Sequence, residues 1–385
     1  MSLDDDARDE LAALEAQGRL RVPRVVSGLQ GPTCVIDGIE VDCFASNDYL
    51  SLAGDSRLAA AAKGALDREG MGAGASRLIT GTQDSHVALE REVEDWLRCG
   101  GVRLFNTGYA ANVGVLSVLA GAGDRVFSDQ LNHASIIDGC RLSRASIEVF
   151  PHRDLRALEA MLSAGGGRRR LIVTESLFSM DGDIADLSAL RALADRYDAV
   201  LIVDEAHAIG VHGEQGRGLC AAAEVIPDVL VGTFGKALGT FGAFAATTNA
   251  IADLLWNRAR PFVFSTALPP SIPAATRAAL EIVRSSEGDQ RRSTLRRNAR
   301  MLRELVPSAG GFLDSAIAPI VIGDDRQVMR ASARLLEQKV FVQGIRPPTV
   351  PTGTARLRVS LASGHTLQQV ENAGRVLNDA MRHEG

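Results

Sequence analysis

Lys236 is the residue with the most distinctive chemistry in this chain. It follows an apolar run, Val229 to Val231, by way of Thr233, Phe234 and Gly235. A second apolar run, Val200 to Val203, stops abruptly on Asp204, Glu205 and His207. Buried parallel strands look like this when they deliver polar groups at their carboxyl ends. Two neighbouring strands would then present an amine, a hydroxyl, an acid and an imidazole together. That set suits pyridoxal 5'-phosphate, where a lysine forms a Schiff base with the aldehyde and an acid keeps the pyridine nitrogen protonated, so that the ring withdraws electrons. Lys236 is the Schiff-base candidate, Asp204 the pyridinium partner, and His207 can reach the ring's phenolate oxygen. Singly, a lysine after a strand is more often a solvated loop residue, and an aspartate there a helix cap. Their joint occurrence carries the assignment.

Two other chemistries share these letters. Asp204 to His207 spells DEAH, the acidic box of nucleic-acid-dependent NTPases, which needs a G-x-x-x-x-G-K-[ST] phosphate loop ahead of it. The sequence has none upstream, and its Gly235-Lys236 pair follows the box and continues into Ala237. His207 and His212 are not spaced as His-Glu-x-x-His, so a zinc site is not expected either.

Composition narrows the classes further. The 385 residues are 46% hydrophobic and 23% charged, which is ordinary for a globular protein, and the net charge of -5 leaves no electrostatic footprint for nucleic acid. Cys34, Cys43, Cys99, Cys140 and Cys220 are odd in number and lack a C-x-x-C pair, which points to free thiols in a reducing compartment. The N-terminus, MSLDDDARDE, is acidic where a targeting peptide would be basic, and no apolar run is long enough for a membrane span. A cytoplasmic protein is expected.

The elements that would position the site follow from periodicity. Leu3, Ala7, Leu11 and Leu14 recur at helical spacing, so a helix capped by Ser2 or Asp4 should end near Gly18 and pack on something else. Cys34 to Cys43 alternates around Asp37-Gly38, a hairpin signal. Glycines from Gly70 to Gly74 follow a helix, Leu58 to Arg68, where a dinucleotide loop would follow a strand; they suggest close backbone approach instead. Strands and helices then alternate from about residue 102 to 248. That order requires a parallel sheet with helices on both faces and ligands beyond the carboxyl ends of its strands. Residues 106–112, 129–135, 175–179, 204–207 and 233–236 all fall at such ends. The turn with Gly108 and Tyr109 opens a helix, whose free N–H groups favour phosphate. The division expected is 1–45, a helix and hairpin; 46–280, the large α/β domain; and 281–385, a smaller α+β lobe.

The motifs SNDYL (46–50), SRLITG (76–81), NTGYAAN (106–112), NHAS (132–135), SLFSMDGD (176–183), VDEAHAIGVHGEQGRG (203–218), TFGKALG (233–239) and IRPPTVPTGTARLR (345–358) span essentially the whole chain. Together they resemble the α-oxoamine synthase family. The resemblance implies an aspartate aminotransferase-like fold, type I among pyridoxal phosphate enzymes, with a mainly parallel sheet. It implies the decarboxylative joining of an amino acid to an acyl thioester, most similar to the member using L-alanine and a pimeloyl thioester on coenzyme A or an acyl carrier protein. Carried over, Lys236 holds the cofactor, Asp204 its ring nitrogen, and His133 stacks on the ring. His207 and Ser179 face the phenolate oxygen. Gly108, Tyr109 and Thr233 hold the phosphate, with Ser265 and Thr266 reaching in from the second subunit of a homodimer. Asn47, Ser76 and Arg356 bind substrate, Asn47 and Arg356 taking the amino-acid carboxylate. After SRLITG the chain reads TQDSHVALE, more polar than is typical of that member near the acyl entrance.

Overall fold

Seven short strands with buried Val, Ile, Leu, Ala and Phe side chains build the largest sheet. They are β1 (Gly101–Phe105), β2 (Arg125–Asp129), β3 (Ser146–Phe150), β4 (Arg170–Glu175), β5 (Ala199–Asp204), β6 (Val229–Thr233) and β7 (Ala243–Thr247). The computed structural model describes residues 2–382. The spatial order is β1-β7-β6-β5-β4-β2-β3. Neighbours pair in parallel except β7, which runs antiparallel to both β1 and β6. Strict alternation of strand and helix therefore breaks at one place. The connection over residues 234–242 is too short for a crossover helix, so the chain must turn back beside the strand it has left.

Every residue of β4, β6 and β7 apart from Arg170 is buried, as sheets covered on both faces require. Helices Gly108–Leu119 and Ala134–Ser143 cover part of this sheet and carry site residues at their N-termini. Their close packing depends on Gly139: a Cβ there would lie 2.8 Å from Leu116 Cδ1 and 3.0 Å from the Asn112 carbonyl oxygen. Asn112, as shown below, is a member of the site.

The chain divides into two compact units, one of residues 52–179 and 183–292, the other of residues up to 51, 180–182 and from 293 onward. In the second unit the hairpin Thr33–Ile36 and Ile39–Cys43 turns at Asp37 (φ 50°) and Gly38 (φ 83°), the pair of positive φ angles that an Asp-Gly turn supplies. Ile39–Cys43 then pairs in parallel with Val340–Phe341, which brings residues near both ends of the chain into one sheet. A three-stranded antiparallel sheet, Ile317–Gly323, Ala355–Ser360 and Gln343–Ile345, belongs to the same unit with helices Asp325–Glu337 and Leu367–Arg382. The leading helix, Leu3–Ala16, is capped by Ser2, whose hydroxyl accepts from Asp5 N. It was expected to pack its apolar residues, yet none of its side chains is buried in this chain.

The cysteines are free thiols, and no helix among the described residues is long and apolar enough to cross a membrane. Replacing Gly139 with Val should pry the two helices apart at a cost of about 1–3 kcal/mol. Urea unfolding checks this: an unchanged midpoint and slope would show that the helix contact tolerates a side chain.

Candidate active site

The parallel strands end on one edge of the sheet, and β7 begins there, since Ala243 lies opposite both Phe105 and Thr233. Glu175 and Asp204 are register partners at the ends of β4 and β5. Those strand ends bring together, in one unit, the segments with His133, Ser179, Asp204, His207, Thr233 and Lys236. Asp204, His207, Ser179 and Thr233 are buried, Lys236 is partly buried, and His133 is exposed.

A hydrogen-bonded chain joins two of them. Asp204 Oδ2 accepts from Asn112 Nδ2 at 2.6 Å, and Asp204 Oδ1 accepts from Ala206 N at 2.8 Å. Asn112 Nδ2 also donates to Ser135 Oγ at 2.9 Å, and Ser135 Oγ lies 2.7 Å from His133 Nδ1. Asp204 and His133 are thus held in fixed relation through residues that spacing alone did not single out. Both stood in quoted motifs, NTGYAAN and NHAS.

The anion site also takes shape. Thr107 caps the helix Gly108–Leu119, its hydroxyl accepting from Ala110 N, and a Cβ on Gly108 would come 4.0 Å from Thr233 Cβ. The helix N-terminus and the end of β6 are therefore neighbours, an arrangement of N–H groups and hydroxyl that favours a phosphate. Tyr109 spends its phenol on Asp138, so only its backbone N–H is left for that anion. Thr266 forms an isolated bridge with Ser76, and its carbonyl accepts from Asn106 Nδ2 at 2.9 Å within the same chain.

In the other unit the two residues expected to take the carboxylate, Asn47 and Arg356, have different partners. Arg356 Nη1 donates to Asp181 Oδ1 at 2.6 Å and to the Met180 carbonyl at 3.2 Å, while its Nε donates to the Thr354 carbonyl. It is Arg358 that meets Asn47: Nη1 donates to Asn47 Oδ1 at 3.1 Å and Nη2 to Tyr49 Oη at 3.4 Å. Asn47 and Arg356 are not partnered here. In a strand the first and second arginines of Arg-Leu-Arg point the same way, so the sequence pattern could not tell them apart.

The chain matches the aminotransferase class I and II family over residues 41–377. It is 48% identical over 370 residues to 8-amino-7-oxononanoate synthase of Geobacter sulfurreducens, covering 94% of this chain and 95% of that one. With the enzyme of the same name from Methylococcus capsulatus it shares 45% identity, covering 98% and 99%. Serine palmitoyltransferase of Sphingomonas wittichii superposes with a TM-score of 0.91 at 34% identity, covering 99% of this chain and 98% of that one. This chain belongs to the α-oxoamine synthase family. The solved 8-amino-7-oxononanoate synthase of Francisella tularensis superposes with a TM-score of 0.77 at 30% identity, covering 89% and 98%.

The residues present fit the cofactor of an α-oxoamine synthase: an amine for the aldehyde, a carboxylate held by two N–H donors for the ring nitrogen, and a helix N-terminus beside a hydroxyl for the phosphate. Electrostatics sharpen the fit. Burial pushes the Glu175 carboxyl up to about 8, and the neighbouring Asp204 charge adds to this against the opposing pull of Lys236 and of the His133 and Ser179 N–H groups. Glu175 is then mostly protonated at pH 7. Its Oε1 still accepts from His133 N at 2.7 Å. Although the residue is exposed, desolvation by the groups packed beside it lowers the His133 imidazole, with Asp204 raising it and Lys236 lowering it.

A carboxyl raised in the fold keeps its proton where the unfolded chain has lost it, so it makes stability fall as pH rises from about 4.5 to about 8. Glu175→Gln removes that titration. The unfolding free energy of the variant should decline less between pH 5 and pH 8 than that of the parent, as read by denaturant titration at each pH; parallel declines would mean Glu175 is already ionised in the fold.

Proposed function

We propose that this chain joins L-alanine to a pimeloyl thioester, releasing CO2 and the free thiol and giving 8-amino-7-oxononanoate, a condensation of biotin synthesis. The observation that carries this reading is the 44–48% identity, over roughly nine-tenths of the chain or more, to relatives that bear that enzyme's name. The motifs of the strand-end site support it. A sister condensation, with serine or glycine as donor, has one observation in its favour: serine palmitoyltransferases superpose at TM-scores up to 0.93, above the 0.77 of the Francisella enzyme. Backbone agreement follows the shared fold, whereas donor choice depends on side chains, and there the serine enzymes share only about a third of residues. Identity is the better guide to substrate.

When bound, pyridoxal phosphate supplies a ring that accepts electron density from the amino acid's α-carbon. Lys236 would hold its aldehyde and, when free, would carry the α-proton from and to that carbon. Asp204 would hold the ring nitrogen, with Asn112 and the Ala206 N–H fixing the carboxylate's orientation. His133 would lie against the ring, Ser179 and His207 would serve the phenolate oxygen, and Gly108, Tyr109 and Thr233 would serve the phosphate. Asn47 with Arg358 takes the carboxylate in place of the Asn47–Arg356 pair expected from the motif. The new bond joins the alanine α-carbon to the thioester carbonyl carbon, the carbon–sulfur bond breaks, and the alanine carboxylate then leaves as CO2. The acyl group arrives on coenzyme A or an acyl carrier protein. The working unit is a homodimer in which Ser265 and Thr266 serve the neighbouring chain's phosphate; full activity in a species sedimenting as a monomer would exclude that sharing.

Two experiments test this reading. Borohydride should fix pyridoxal phosphate on Lys236 alone, and L-alanine with pimeloyl thioester should release thiol and CO2 in equal amounts, both lost in Lys236→Ala. Release with serine or glycine in preference to alanine would favour the sister reaction, and transamination without CO2 would exclude both. Arg358→Ala should raise KM for alanine by about tenfold or more, the scale of one charge-assisted hydrogen bond. Arg356→Ala should affect KM less, and the reverse order would return the carboxylate to Arg356.

A further inference from the structure

His152 lies just past β3, between two of the strand-end loops, and no role has yet been assigned to it. Its Nδ1 is 2.9 Å from Asp129 Oδ1 and its Nε2 is 3.0 Å from Asp183 Oδ2. Both partners are carboxylate oxygens, so both ring nitrogens must donate, and a ring with two N–H groups is an imidazolium. Asp129 ends β2 and shapes the loop that follows it, since Oδ1 accepts from Leu131 N at 2.9 Å and Oδ2 from Arg153 N at 3.0 Å. That loop leads to His133. Asp183 closes the loop after β4, its carbonyl accepting from Phe178 N at 3.0 Å, and that loop includes Ser179. The Phe178 ring meets the imidazole edge-on at 4.4 Å.

We propose that His152 is a positioning residue: as an imidazolium it ties the loop bearing His133 to the loop bearing Ser179 at a set spacing. The inference rests on the reading of those loops as cofactor-holding. The charged groups around the ring are Asp129 from the end of β2, Asp183 from the loop after β4, and Arg153, whose Nη1 also donates to Asp183 Oδ2 at 3.0 Å. Burial disfavours the imidazolium, but the two carboxylates outweigh it and push the group up to about 9. A raised histidine holds its partners below that value and releases them as pH rises through it. The tie is whole at pH 7.5 and weakens toward pH 10. An ion pair of purely local structural use would leave the cofactor's hold indifferent to this titration.

The test compares the parent holoenzyme with His152→Gln and Asp183→Asn by two readouts. The first is the dissociation constant for pyridoxal phosphate from pH 7 to 10, and the second is hydrogen exchange of segments 129–134 and 176–184 at pH 7.5. The glutamine variant should weaken cofactor binding about tenfold at pH 7.5, the scale of a charge-assisted bond, and lose the weakening that the parent shows near pH 9. Both segments should exchange faster together. Asp183→Asn keeps an acceptor but removes one charge, so the alkaline midpoint should move to lower pH by about one unit. A parent that binds no pyridoxal phosphate would sink the cofactor reading, while segment exchange would still decide the tie. Unchanged exchange in His152→Gln, or an alkaline midpoint unmoved in Asp183→Asn, overturns the proposal.

Discussion

Two carboxyl groups, Glu175 and Asp204, stand side by side at the buried ends of adjacent parallel strands, where burial and the neighbouring carboxylate both disfavour ionising Glu175. Asp204 receives the N–H donors of Asn112 and Ala206. Burial pushes the Glu175 carboxyl up to about 8, so it keeps its proton at pH 7. The neutral carboxyl still binds the backbone of His133, so a group that gave up its charge retains a positional use.

The rest of this unit makes that pairing possible. Parallel strands deliver their polar ends to one edge only if each connection returns over a face of the sheet, and the connections here do so with helices. The exception, β7, turns back directly, yet by running antiparallel it begins at the same edge and brings Gly242 within reach of the Thr233 hydroxyl. Gly139 lets two covering helices approach closely enough for Asn112 to bridge Asp204 and Ser135. Packing and chemistry meet in one side chain. An amide at Asn112 has a second donor use because the helix bearing Ser135 is within contact distance.

Charge is handled consistently elsewhere in the unit. The basic run at Arg168 and Arg169 converges on Asp124, which is fully buried, so that run serves a carboxylate of its own chain. Arg77 and Glu90 pair within a buried environment, and Glu90 Oε1 also accepts from Leu104 N on β1. The polar stretch TQDSHVALE is partly inward-facing for this reason, with His86 bonded to the Leu268 carbonyl. A polar segment in the sequence need not face a ligand.

The local devices of this protein could be read from its residues. Apolar runs ending on Asp204 and Lys236, the Asp37-Gly38 turn, and the glycine before a small-residue helix at Gly108 are short-range signals, because strand burial, turn angles and helix termini depend on neighbours in sequence. The motifs then placed the chain in its family. Relations between distant residues could not be read in the same way. Arg356 and Arg358 share one strand face, so only the packing of Asn47 and Tyr49 against the second arginine, and of Asp181 against the first, distinguished them. Glu175 shows no sign in sequence of keeping its proton, since that follows from the strand laid beside it. His152 carries no short-range signal, and only the fold brings Asp129 and Asp183 to its two nitrogens. Spacing along a chain sets what each residue can do, while charge state and partnership depend on which other segments the fold brings within a few ångströms.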